Sequence, residues 1–332
     1  MAKNILILFL SLLSLSVFAQ SKGKAPVYTQ PVVLEQTAIS KQNMKYLRKM
    51  EDSLQNLSQV MMFDTLDLEN RKNACYAFIP KFVRALKTEN SFFFKFDSLE
   101  NVSIVYPPDS AFRIITWQLH YPKGRFRYYG VIQMRSSTLK MHPLLDVSDT
   151  LGFRPQATLG SDNWYGCIYY NIIKKTINRQ NVYTLFGFEA PNFMTRRKVI
   201  DVLTFDENKK PKFGLPIFHF KYDSTALKVK DTLSRFFIEY KWDATPTLNF
   251  DRELDLIVFD HLAPIDKKAV GAYFAYVPDG TYEGFKWNKD KWQWVETVFT
   301  FAINENDNPP IPMPLFGKPG RQPVLPTEVE KH

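Results

Sequence analysis

The stretch from Phe112 to Met134, FRIITWQLHYPKGRFRYYGVIQM, decides how the rest of the chain is read. Ile115, Trp117, Leu119 and Tyr121 alternate with Ile114, Thr116, Gln118 and His120. Beyond Pro122-Lys123-Gly124, Phe126, Tyr128, Ile132 and Met134 alternate with Arg125, Arg127, Tyr129, Gln133 and Arg135. Alternation with period two sends successive side chains to opposite faces of a strand. Pro-Lys-Gly is turn chemistry, so the two runs read as a β-hairpin.

The same form recurs downstream. Val199 to Phe205 and Pro216 to Tyr222 flank Asp206-Glu207-Asn208-Lys209; Thr247 to Phe250 and Leu254 to Phe259 flank Asp251-Arg252-Glu253. Thr281 to Trp287 and Trp292 to Val298 flank Asn288-Lys289-Asp290-Lys291. Consecutive strands joined by short turns favour antiparallel pairing, because a parallel pair needs a long crossover. Upstream the period changes. Leu47, Met50, Leu54, Leu57 and Met61 recur at spacings of three and four between Lys41 and Met62, which is one face of an amphipathic helix. A second helical stretch runs from Leu66 to Leu86 with Cys75, Phe78, Phe82, Val83 and Leu86 inward, and Pro80 is expected to kink or split it. No glycine lies between Lys24 and Lys123, which sets this helical region apart from the strands that follow. The expected fold is α+β, with N-terminal helices packed on a large antiparallel β-meander closed as a sandwich or an open barrel. The expected division is 1–19 signal peptide, 20–100 helical region, 101–303 β domain and 304–332 tail.

The two ends carry their own signals. Met1-Ala2-Lys3-Asn4 precedes an apolar run from Ile5 to Phe18, and Val17-Phe18-Ala19 fits a small-x-small cleavage site. Fourteen apolar residues are too few for a membrane-spanning helix, which needs about 20; the pattern is that of a secretory signal peptide cut near Ala19. The mature chain is therefore expected outside the cytoplasm, periplasmic or extracellular, with no transmembrane span. At the other end, Pro309 to His332 holds seven prolines in 24 residues, which excludes helix and interior strand. It reads as an extended tail or a strap.

The whole chain of 332 residues holds 43 Lys plus Arg against 34 Asp plus Glu, a net charge of +9. Aromatic residues make up 15%, which excludes a disordered chain. The basic residues are spread, with Arg196-Arg197-Lys198 the densest cluster, so the charge reads as a solvated surface and no nucleic-acid partner is expected. Two cysteines, Cys75 and Cys167, exclude a disulfide-dense scaffold. They either bridge the helices to the sheet or stay as two buried thiols.

Four segments together carry a resemblance. They are Phe112 to Leu119; Trp164-Tyr165-Gly166 with Tyr169-Tyr170; Arg197 to Phe205 with Phe213-Gly214; and Ile257-Val258-Phe259-Asp260-His261-Leu262-Ala263-Pro264. In this order they resemble an uncharacterised family of exported proteins from Bacteroidota, over residues 63 to 300. The resemblance implies export and a shared fold, and it brings no activity or site with it.

The common linear signatures of nucleotide, zinc-protease, redox and α/β-hydrolase chemistry do not occur in the sequence, and no cofactor or metal is expected. Three sets of residues remain as candidates. Trp287 and Trp292 flank a four-residue turn and should face each other, with Phe285 and Trp294 as the next cross-strand pair on the other face. Exposed rings of this kind suit a sugar or an apolar partner, whereas buried ones only fill a core. A polar set comprises Glu189, Arg196, Arg197 and Asp201 on one strand–loop–strand region; facing carboxylates there would suit glycoside hydrolysis. Asp260 and His261 form the third set, although adjacent strand residues point to opposite faces. The expected role is non-enzymatic binding or structure in the cell envelope, toward a glycan or an envelope protein. A hydrolase of an envelope polymer and an assembly component docking through its Pro-rich tail are the alternatives.

Overall fold

The computed structural model describes residues 39–63, 67–152, 155–220 and 232–299. The signal segment and the Pro-rich tail lie outside the described residues. Helix α1 (Lys41–Phe63) buries Leu47, Leu54 and Met61 completely, the inner line of its apolar face. Helix α2 (Leu68–Leu86) starts at Asp67, whose carboxylate accepts from the Glu69 N–H at 2.8 Å and so satisfies one of the open donors of the first turn. Pro80 does not split α2. It sits on the exposed face of the helix, where water can take up the carbonyl one turn back that the missing N–H leaves open.

The helices pack on a four-stranded sheet of order β1 (Ser103–Val105), β2 (Phe112–Tyr121), β3 (Arg125–Met134) and β4 (Met141–Leu145), all antiparallel. Ile115, Trp117, Leu119 and Val131 face the helices, while Phe112, Ile114, Tyr128 and Ile132 face the other way. That second face meets β5 (Ile168–Ile177), β6 (Gln180–Glu189), β7 (Thr195–Phe205) and β11 (Phe236–Lys241), which form the second sheet. The short β8 (Pro211–Phe213) is added on β7. A third sheet covers the far side, in the order β10 (Thr232–Leu233), β9 (Phe218–His219), β15 (Lys291–Val295), β14 (Tyr276–Asn288), β13 (Leu256–Pro264) and β12 (Leu248–Asp251). The chain is thus an α+β sandwich of helices and three sheets, with a separate apolar core in each gap. Among the described residues no closed barrel forms.

Two expectations about pairing are corrected. The end of β7 pairs with Pro211–Phe213 rather than with residues 216–222, because the chain turns at Gly214, whose φ of +92° a side chain disfavours. The segment beyond it crosses to the third sheet, where β9 lies parallel to β15. That is the one parallel pair among the described strands, and it is reached by a long connection, as parallel pairing requires.

Two buried arginines tie these layers. Arg113 on β2 is wholly buried, and among the described residues it forms no ion pair. Its guanidinium donates to Gln133 Oε1 (2.9 Å), the Phe94 carbonyl (2.6 Å), Tyr106 Oη (2.8 Å) and the Ser91 carbonyl (3.0 Å), and lies over the Phe92 and Phe96 rings. Arg235 meets Asp201 on β7 at 2.9 Å with both side chains inside. Burial pushes the Asp201 carboxyl up against the pull of Arg235; for Arg235, burial works the other way, and Asp201 together with Tyr169 and Cys167 outweighs it, so its value rises. Asp201 is a structural ion pair and does not join a cleft.

Candidate functional site

The aromatic hairpin is core. Trp287 and Trp292 do face each other across β14 and β15, with ring centroids 4.9 Å apart. Phe285 pairs with Trp294, but on the same face as the tryptophans, because residues two apart in a strand point the same way. All four rings belong to the core between the second and third sheets: Phe285 and Trp292 are wholly buried, Trp287 and Trp294 half-buried. The Trp292 indole N–H donates to Thr184 Oγ1 at 3.1 Å. The hairpin therefore offers no flat exposed platform for a sugar.

The cysteines do not form a bridge. Cys75 sits in the helix-facing core and Cys167 in the core between the first two sheets, both as buried free thiols that burial pushes up in pKa.

Asp260 and His261 separate as strand geometry requires. Asp260 Oδ2 accepts from the Thr247 N–H (2.5 Å) and hydroxyl (2.6 Å), which anchors the approach to β12. His261 stands at a β-bulge where Asp279, Gly280 and Thr281 oppose it. Its Nδ1 lies 2.6 Å from Asp279 Oδ2, and its Nε2 is 3.9 Å from Glu283 Oε1. Among the described residues no group of three or more His, Cys, Asp or Glu side chains is placed to hold a metal ion.

Glu189 and Arg197 do converge, and they bring in two residues that were in none of the candidate sets. β6 and β7 pair Glu189 with Arg197, and β11 pairs Glu239 with Arg197 on the other side. Arg197 Nε donates to Glu239 Oε2 at 2.7 Å, and its Nη1 lies 3.0 Å from Tyr165 Oη and 3.5 Å from Glu189 Oε2. The Tyr165 hydroxyl donates to Glu189 Oε2 at 2.5 Å. Burial pushes the Glu189 carboxyl up to about 7, against the opposing pull of Arg197 and Tyr165. Burial also drives the Tyr165 phenol up, reinforced by Glu189. Arg196 does not join them. One residue along the strand, it points away, and its Nη1 donates to the Asn192 and Thr195 carbonyls.

The network is fastened from beneath. Tyr128 Oη accepts from the Ala190 N–H at 2.7 Å, just past Glu189. Asp146 accepts from the backbone N–H of Tyr128, Ser148 and Gly166 and from the Ser148 hydroxyl. A Cβ on Gly166 would come within 2.2 Å of Asp146 Oδ1, so Gly166 permits that carboxylate to approach the backbone next to Tyr165.

Around this network the molecule exposes large apolar side chains. Phe193 and Met194 lie in the loop between β6 and β7, and the Trp242 N–H donates to the Met194 carbonyl at 3.0 Å, joining that loop to the one after β11. The short 3-10 turn Tyr273–Ala275 packs on β11 and brings Tyr273 within electrostatic reach of Glu239 and Arg197. Phe193, Met194, Trp242, Tyr273 and Phe274 are each more than two-fifths exposed. The tip of the β2–β3 hairpin closes the end, with Gly124 against Phe193 and Lys123, Arg125 and Arg127 exposed.

No protein-family model, curated protein or solved structure matches this chain. The rings of the site end stand in short irregular segments beside Asn192, Asp243 and Gly271, and that was the one signal open to sequence reading: aromatic residues in turn-like surroundings are not placed there by strand packing.

Proposed function

We propose that the chain is an exported protein of the cell envelope with a non-enzymatic binding role, and that its contact face is the end of the sandwich bearing Phe193, Met194 and Trp242. The observation that carries this reading is the clustering of exposed apolar rings on two joined loops over polar groups already bonded to one another. The leader-like Met1 to Ala19 and the resemblance to the exported Bacteroidota family support the compartment. Among the described residues no helix is long and apolar enough to cross a membrane. A photo-reactive benzophenone side chain at position 242 is expected to give envelope adducts in cells. The same group at Leu254 is the control. Leu254 is also exposed and sits next to Asp255, whose carboxylate pairs with Lys175 at the other end of β5 and β6. Equal labelling at both positions would overturn the reading.

A second reading, a hydrolase of an envelope polymer, rests on Glu189, a carboxyl poised near neutral pH with Glu239 on the far side of the same arginine. Turnover of a purified envelope polymer that disappears in Glu189→Gln would establish it. The assembly reading depends on the Pro-rich tail, and deletion of 309–332 with an unchanged set of crosslinked partners would end it.

A further inference from the structure

We propose that this same end docks on an anionic lipid bilayer, with Phe193, Met194 and Trp242 entering the headgroup region and Lys123 and Arg125 facing lipid phosphates. The inference rests on the reading that this end is the contact face, and it names the partner. Two observations favour a bilayer. The apolar residues stand on loop tips rather than on a flat sheet face. Aromatic rings on such tips match the depth at which a bilayer turns from polar to apolar, and flanking basic side chains can keep their charge at the phosphates while their stems lie in the interface.

The local charge is also one-sided. Glu189 and Glu239 are held by Arg197, Asp243 is paired with Lys241 at 2.5 Å, and Asp146 is bound to backbone N–H groups. The exposed cations of the hairpin tip are Lys123 and Arg125, while Arg127 lies back over the Tyr129 ring; burial, then Arg71 and Arg196, hold His120 below its ordinary value. Beside Phe193, the outward-facing charge of the hairpin tip is therefore basic, complementary to an anionic surface. A purely acidic glycan would be met by the cations alone and gives no role to three protruding apolar side chains.

The test is flotation of the chain from Gln20 to His332 with vesicles of equimolar phosphatidylglycerol and phosphatidylcholine, and with phosphatidylcholine alone. Binding is expected on the first and at least about tenfold weaker on the second, with a steep loss as salt rises. Trp242→Ala and Phe193→Ala should each weaken partitioning by about tenfold, and Lys123→Ala with Arg125→Ala by about twentyfold. Leu254→Ala should bind as the parent does. Quenching of tryptophan fluorescence by brominated lipid, present in the unaltered chain and lost in Trp242→Ala, gives a second readout. No flotation of the folded chain on the anionic vesicles, or flotation unaffected by these changes, overturns the lipid proposal. In that case adducts to a glycan or protein at position 242 would leave the contact face standing with another partner, and the absence of any adduct would remove both.

Discussion

Two groups of aromatic residues in this molecule look alike on paper and behave in opposite ways. Trp287, Trp292, Phe285 and Trp294 sit on a hairpin, in register, and go inside. Phe193, Trp242, Tyr273 and Phe274 sit in loops, out of any ladder, and stay outside. A strand gives every second ring a common face, and a third sheet laid over the second buries that face. A loop offers no such partner surface, so rings there remain available to something beyond the chain.

The sharpest way to break this contrast is to truncate one ring on each side. Trp292→Ala removes a wholly buried indole and its bond to Thr184, and should cost about 3–5 kcal/mol in urea unfolding. A loss under about 1 kcal/mol would mean that the hairpin is not the core cover described here.

Next in size is the pH response of the polar network beneath the loops. The Glu189 carboxyl lies at about 7 in the folded chain against an ordinary 4.5. Between those values the folded state holds a proton that the unfolded chain releases, so stability falls as pH rises from about 4.5 to about 7. The whole change is on the order of 3 kcal/mol. Urea midpoints across that window should show the decline, and Glu189→Gln should flatten it; an unchanged slope in the variant would assign the proton to another group.

Smaller again is Gly166→Ala, where the added methyl group displaces the Asp146 carboxylate. We expect a loss of about 1–3 kcal/mol, read from the midpoint of thermal unfolding. The smallest effect completes the comparison. Trp242→Ala and Phe193→Ala should each change stability by less than about 0.5 kcal/mol, while Trp242→Ala removes the emission most readily quenched by acrylamide. A large destabilisation would make these rings structural after all.

Much of the architecture was legible because it is local. The 3-4 spacing of Leu47, Met50, Leu54, Leu57 and Met61 placed α1, and the alternation around Pro122-Lys123-Gly124 placed the first hairpin. What was not legible is what depends on which layer covers which. The hairpin rings share one face by parity, a matter of counting along the strand; that this face is covered follows only from the third sheet. Cys75 and Cys167 fall into different cores because β2 buries both of its faces, one toward the helices and one toward the second sheet. The site network joins Tyr165, Glu189, Arg197 and Glu239 from four separate segments, and no local spacing marks such a set. Only Glu189 and Arg197 stood near enough in sequence to be grouped. Arg196, grouped with them, is turned away by the same alternation that made the strand recognisable.

The second sheet has a consequence for how this chain is made. Its strands β5, β6 and β7 are apolar on both sides, and one side is covered by Phe259, Phe285 and Trp292, which are synthesised after all three strands. A chain emerging from its N-terminus therefore displays an uncovered greasy surface until the final hairpin arrives. Its yield in a cell should thus depend on a holding factor during that interval more than on the strength of the finished fold.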